Sequence, residues 1–196
     1  MEQKIKALCV KALKWKDNDF LLTLISAERG KLIAKIKSPK SPKAKLRLAS
    51  SPLCFGEYII TQRGGTHSVI GCTVIENFFS CWQDIDKYGA SQIVCEVLDK
   101  LTHDGVDTGR ELVLAVKSLS EIDSSGNEPL AVAVEFVKKM LLSLGVDCRK
   151  DGLSGEKHSS EDSTEAVKLL NKYQHIIKNN FGEKINSIAV ITKIVV

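Results

Sequence analysis

The spacing of apolar residues changes once along this chain, near residue 80, and that change limits what it can fold into. Before it, apolar residues fall in short runs and alternations broken by turn residues; after it, they recur at helical spacing. A period of two builds strands and a period of 3.6 builds helices. The first part therefore reads as β and the second as α, with no internal repeat.

The β part punctuates itself. The spacing predicts strands over 4–15 (KIKALCVKALKW), 20–27 (FLLTLISA), 31–37 (KLIAKIK), 55–63 (FGEYIITQR) and 67–76 (HSVIGCTVIE). Lys16 to Asp19 is a polar turn. Glu28-Arg29-Gly30 is a tight turn in which Gly30 is free to take positive φ. Gly64-Gly65 is a hairpin signal. In 31–37, Leu32, Ala34 and Ile36 point to one side, and Lys31, Ile33, Lys35 and Lys37 to the other, so one face packs while the other is basic. Pro39 and Pro42 prevent a regular helix or central strand between the third and fourth strands. A short helix is expected over 43–50, closed by Ser51-Pro52. Five strands with a long connection between the third and fourth suggest the five-stranded nucleic-acid-binding barrel, the OB-fold.

Helical spacing then runs over 84–101, 108–120, 128–144 and 162–181. Pro129 opens the third of these, where a missing N–H costs little, and Gly145 stands where a C-terminal cap belongs. Residues 146–161 read as an exposed loop. The β-branched tail, 185–196, is ambiguous between strand and helix. The expected fold class is α+β: an OB-fold over 1–80 and an α-helical domain over 81–196.

Hydrophobic residues make up 43% and charged residues 27%, which excludes a mostly disordered chain. No apolar run is long enough for a transmembrane helix, and MEQKIKAL lacks a signal-peptide core. The six cysteines, at 9, 54, 72, 81, 95 and 148, show no paired spacing. They suggest reduced thiols in a cytosolic protein.

Catalytic patterns are absent: no GxxxxGK[ST], GxGxxG, HExxH or GxSxG. The histidines at 67, 103, 158 and 175 are scattered. Cys148 and His158 share a loop, but two ligands do not make a zinc site. His103 beside Asp104 fits a capping role near a helix end. Cys9, Cys72 and Cys95 have apolar neighbours and read as small core residues.

Charge is the informative signal. Residues 1–80 carry a net +8 and residues 81–196 a net −4. The bland account is that small domains drift in charge; the other is nucleic-acid contact through the basic half. Residues 31–47 hold Lys31, Lys35, Lys37, Lys40, Lys43, Lys45 and Arg47 with no acidic residue. Such a run repels itself, and a polyanion relieves the repulsion. A solvated loop with no partner is the alternative. Lys11, Lys14 and Arg63 lie on other expected strands and extend the track. Trp15, at the end of the first strand, is either a stacking platform or a rim or core tryptophan. Phe20, Phe55 and Tyr58 read as core. Few aromatics argue for backbone recognition with little sequence specificity.

The N-terminal half resembles RecO, the bacterial recombination mediator family. The order carries the resemblance: a first strand and acidic turn, FLLTLIS, then Glu28-Arg29-Gly30-Lys31-Leu32, Ala34-Lys35, a Lys/Pro/Ser loop, and Leu53-Cys54-Phe55 before the next strand. It covers roughly residues 7–63. It implies a non-enzymatic protein without cofactor that binds single- and double-stranded DNA and anneals complementary strands. It also implies RecR, the single-strand-binding protein and the RecA pathway as partners, and a cytoplasmic location, nucleoid-associated when DNA is bound. Many members carry a four-cysteine zinc motif in the helical domain. Here only Cys81, Cys95 and Cys148 lie beyond residue 80, so zinc is not expected. The chain is also short for the family. Judged on residues alone, an OB-fold RNA-binding protein and a protein-binding adaptor remain as alternatives.

Overall fold

A computed structural model describes residues 2–16, 18–37, 46–124, 126, 128–148 and 163–195. Five strands come first: β1 (Glu2–Trp15), β2 (Asp19–Ser26), β3 (Gly30–Ile36), β4 (Phe55–Arg63) and β5 (Thr66–Glu76). Each lies within two residues of its expected ends. Among the described residues five α-helices follow: α1 (Ile85–Leu101), α2 (Gly109–Asp123), α3 (Pro129–Ser143), α4 (Ser163–Phe181) and α5 (Asn186–Val195). Packing divides the chain into two units, Met1–Phe78 with Thr102–Leu112, and Phe79–Leu101 with Val113–Val196.

In the first unit the strands close into a barrel in the order β1-β2-β3-β5-β4. Neighbours are antiparallel except β3 and β5, which run parallel through Ala34↔His67, Lys35↔Ser68 and Ile36↔Val69. The strands are strongly tilted, as closure of so few strands demands. A cross-strand row leaving β1 at Lys14 passes Phe20, Ile36, Val69 and Ile60 and returns to β1 at Gln3. Inward residues from every strand fill the interior, among them Ile5, Ala7, Cys9, Leu22, Leu24, Ala34, Tyr58 and Ile60. The Tyr58 hydroxyl is satisfied there, donating to the carbonyls of Ala49 (3.1 Å) and Cys54 (3.4 Å).

One irregularity sets the faces of β1. Cys9 pairs with Leu24 and Lys11 with Thr23, so Val10 is an extra residue. A bulge of this kind reverses which residues face in. Ile5, Ala7 and Cys9 point inward before it; after it, Ala12 points inward and Lys11, Leu13 and Trp15 point out.

The β2–β3 turn carries a strap, the segment after α1. Lys31 donates its N–H to His103 O (3.1 Å), Gly105 to Arg29 O (3.0 Å) and Thr108 to Ala27 O (3.0 Å). The Thr108 hydroxyl donates to Ser26 O (2.8 Å). The expected cap at His103-Asp104 is not what forms. The backbone of this pair bonds instead to the turn, with Asp104 bridged to Gly30.

The helix expected over 43–50 is a single 3-10 turn, Leu48–Ser50, among the described residues. It stops at Ser51, which is extended (φ −98°, ψ 141°), because Pro52 disfavours a helical residue before it.

In the second unit α1 packs on α3, α3 on α4, and α5 on both α4 and α1. Pro129 takes the first turn of α3, and Gly145 and Val146 close its end on Leu142 O and Leu141 O. The ambiguous tail is helical: Ile185, Ile188 and Ile191 are buried at helical spacing. Glu96 of α1 caps α5, its carboxylate accepting from the backbone N–H of Asn186 (2.9 Å) and Ser187 (2.8 Å) and from the Ser187 hydroxyl (2.7 Å). At the end of α2, Lys87 Nζ donates to Asp123 O (2.8 Å) and Ser124 O (3.1 Å). Most of the expected loop 146–161 lies outside the described residues. No described helix is long and apolar enough to cross a membrane.

Candidate nucleic-acid interface

The outer surface of β1, β2 and β3 gathers most of the described basic residues singled out in the sequence. β3 alternates as expected: Leu32, Ala34 and Ile36 are buried, while Ile33 and Lys37 are exposed and Lys31 and Lys35 half-buried. The Val10 bulge turns Lys11, Leu13 and Trp15 to the same outer surface. Registry then aligns Lys11, Thr23 and Ile33 in one cross-strand row and Leu13, Leu21 and Lys35 in the next.

Lys14 behaves differently. It shares its row with Phe20 and Ile36, on the inward parity, and is exposed only because that row ends at the open rim of the barrel. Arg63 is exposed beside the Gly64-Gly65 turn and pairs with Thr66, one position before the Ala34↔His67 pair joining β5 to β3. It is thus on the outer surface, two strands from Ile33. Arg47 is exposed just before the 3-10 turn. Lys40, Lys43 and Lys45 lie outside the described residues.

The basic run is not wholly uncompensated. Lys35 Nζ is 2.8 Å from the Asp19 carboxylate, with both side chains about three-quarters buried. Asp19 is next to the residue that faces Ile36, so it is a diagonal neighbour of Lys35 across the β2–β3 ladder. Along the chain Asp19 is turn punctuation, and only the strand pairing brings Lys35 to it. Lys31 is tied through its backbone to the strap.

Apolar residues share this surface, and of these Leu13 escaped the sequence reading, whereas Ile33 and Trp15 were placed on or beside the basic face. Leu13 is 52% exposed, Ile33 59% and Trp15 44%. Their signal was present in KALKW and KLIAKIK, where apolar residues share the parity of lysines. Trp15 is at the strand end beside the turn, neither core nor stacked on another ring among the described residues. Of the aromatics read as core, Tyr58 is fully buried, Phe20 packs partly on the barrel core and Phe55 is half-buried.

Lysines spaced between exposed apolar side chains on a curved sheet suit a flexible polyanion. On such a face ammonium groups can pair with phosphates, and exposed rings and branched chains can pack on bases or sugars. At the other end of the barrel, Glu2, Gln3, Arg29, Thr61, Gln62 and His67 line a polar cleft of about 760 Å³. Its mixed charge gives it no preference for an anion. No group of three or more metal-ligating side chains occurs among the described residues.

Residues 1–78 match the family described as Recombination protein O N terminal. The chain is 22% identical over 142 residues to the DNA repair protein RecO of Acetivibrio thermocellus, covering 72% of this chain and 57% of that one. It is 28% identical over 159 residues to that of Caldicellulosiruptor saccharolyticus, covering 77% and 65%. With the Clostridium novyi protein of the same name it shares 32% over 95 residues, covering 48% and 37%.

The first 78 residues are similar to the N-terminal part of RecO proteins.

Matches to the first RecO relatives span between 55% and 65% of those proteins' length. The RecO pattern Glu28-Arg29-Gly30-Lys31 has a structural reason in this chain. Gly30 has φ +64°, and a Cβ there would run into the carbonyl oxygens of His103 and Val106. The turn of the pattern is therefore the strap's seat, and the lysine that follows leads into the basic face of β3.

Proposed function

We propose that this chain is a DNA-binding recombination mediator that holds strands by their phosphates and anneals complementary ones, with no bond chemistry of its own. The observation that carries this reading is the face of β1–β3. Lys11, Lys35 and Lys37 are interleaved there with Leu13, Trp15 and Ile33, and the Asp19 carboxylate pairs with Lys35. Screening phosphates lowers repulsion between two strands, and a surface that reads no base edges leaves them free to pair. Relatives named DNA repair protein RecO support the setting. Both single- and double-stranded DNA are ligands in this reading, in the bacterial cytoplasm.

The helical unit is the protein-binding part. Ile85, Tyr88, Leu130, Val190, Ile191 and Ile194 line an apolar cleft of about 380 Å³ between α1, α3 and α5. A short apolar segment fits such a groove. RecR, the single-strand-binding protein and the RecA pathway are the partners the family resemblance implies.

A salt series tests the DNA reading. With about five or six phosphates engaged on a single strand, log K falls with log salt at a slope near −4, from about −0.7 per phosphate. Lys11→Glu with Lys37→Glu, both exposed, lowers affinity and flattens the slope while leaving the far-UV spectrum unchanged. Annealing of complementary strands is faster with the protein than without it, in the absence of nucleotide. A slope near zero, or binding without faster annealing at every protein-to-DNA ratio, defeats the proposal, and tighter binding to RNA than to DNA transfers it to the RNA-binding class.

A further inference from the structure

The outer face of β1–β3 is a small grid, and its last row carries a negative charge. Registry sets Lys11, Thr23 and Ile33 in one row, Leu13, Leu21 and Lys35 in the next, and Trp15 opposite Asp19 in the third. Asp19 is therefore beside Trp15 and diagonal to Lys35. The diagonal contact is closed. The Asp19 carboxylate lies 2.8 Å from Lys35 Nζ, with side chains only 20% and 26% exposed. Lys11 and Lys37 differ from Lys35. Both are exposed, and among the described residues no carboxylate pairs with either.

Burial makes the Asp19–Lys35 pair hard to open. A phosphate that took Lys35 for itself would leave a largely buried carboxylate without its cation, which is the costly way to break such a pair. It would also bring a second anion close to the first, and like charges in a partly desolvated site repel strongly. Left closed, the pair shows a passing strand no net charge.

We propose that Asp19 withholds Lys35 from phosphate, so that a strand is held by exposed lysines of this face, Lys11 and Lys37 among them, and not by Lys35. The inference rests on the DNA-binding reading and deepens it by sorting the lysines of one face into those that set affinity and one that does not. Asp19 is a positioning residue in this scheme, acting through Lys35. One phosphate contact fewer also suits a surface that must release its strands once they have paired.

The test uses the full chain and a labelled oligothymidylate strand, followed by fluorescence anisotropy over a salt series. Asp19→Asn frees Lys35 with little change of shape. It is expected to raise affinity about fivefold at about 0.1 M salt and to steepen the slope of log K against log salt by about 0.7, the increment for one more phosphate on a single strand. Asp19→Asn with Lys35→Met removes both charges and is expected to keep the wild-type affinity and slope. Glu28→Gln adds the same charge at an exposed site in the turn at the far end of the β2–β3 hairpin, and is expected to change affinity less than Asp19→Asn does. Unchanged or weaker binding by a folded Asp19→Asn overturns the proposal. So does a double variant that binds more weakly with a flatter slope, because Lys35 is then a phosphate contact in the native protein. An equal gain from Glu28→Gln overturns it too, by assigning the effect to net charge alone. If Asp19→Asn does not fold, the double variant decides the matter, since replacing both members of a buried pair is often neutral for folding. A wild-type slope near zero is a different failure: it removes the DNA-binding reading and this inference with it, whereas a wild-type slope near −4 with an unmoved Asp19→Asn removes this inference alone.

Discussion

Replacing Gly30 with alanine separates two costs that usually travel together. A non-glycine residue in the left-handed region costs about 1–2 kcal/mol. Gly64, at φ +52° with nothing within 4 Å of its would-be Cβ, isolates that cost. Gly30 adds a collision, because its Cβ would meet two backbone oxygens, His103 O and Val106 O, well inside contact distance. Backbone cannot rotate away as a side chain can, so the strap must retreat. Retreat breaks Lys31 N–H to His103 O and Gly105 N–H to Arg29 O, at about 1 kcal/mol each. Gly30→Ala is thus expected to lose about 3–4 kcal/mol and Gly64→Ala about 1–2 kcal/mol. Urea unfolding followed by far-UV circular dichroism measures both, and an unchanged m-value licenses the comparison. Equal losses at the two positions would refute the idea that the strap presses on the turn.

Two other outcomes follow from buried polar groups. Glu96→Gln removes the charge that accepts the first N–H groups of α5 and turns an NH₂ group on donors, so a loss of about 2 kcal/mol is expected in thermal or urea unfolding; no change would mean that α5 is held by packing alone. Burial and the Asp123 carboxylate push Cys81 from 9.0 up to about 12, and burial pushes Tyr173 from 10.0 up to about 12. The unfolded chain releases these protons first, so stability is intact below about pH 9 and falls as pH rises toward 12; urea midpoints that hold steady across that range count against buried, protonated groups.

The strands were legible because their turns are written in residues with restricted roles: Gly30, the Gly64-Gly65 pair, and the prolines after β3. Helix α3 was legible for the same reason, with Pro129 at one end and Gly145 at the other. What escaped was whatever depends on registry or on distant partners. The Val10 bulge leaves no mark in a run as uniformly apolar as ALCV, yet it decides that Leu13 and Trp15 face out. The Asp19–Lys35 pair joins neighbours on adjacent strands that are sixteen positions apart in sequence. Residues 102–112 belong to the barrel unit although they follow a helix of the other, because apart from the Thr108 hydroxyl their bonding to the turn is by backbone, which any sequence supplies. In the tail, β-branched residues favoured a strand locally, and the Glu96 cap with three buried isoleucines overrode that preference. For the candidate site, the lysines of β3 were read with the correct parity, while the apolar residues among them carried no motif of their own.

β1 has a property that shows in how the barrel opens. It pairs with β4 through residues 2–8 and with β2 through residues 7–15, and Ala7 and Leu8 are registered to both neighbours at once. The two sides of the sheet thus meet on one strand. An opening that frees those amides must part the barrel at its seam. Hydrogen exchange at Ala7 and Leu8 should therefore proceed only through opening of the whole barrel, at its full unfolding free energy. The tip of the β4–β5 hairpin exchanges by local fraying long before. The slowest amides of this unit mark the strand that closes it, and the faster ones belong to elements it can lose and still remain a barrel.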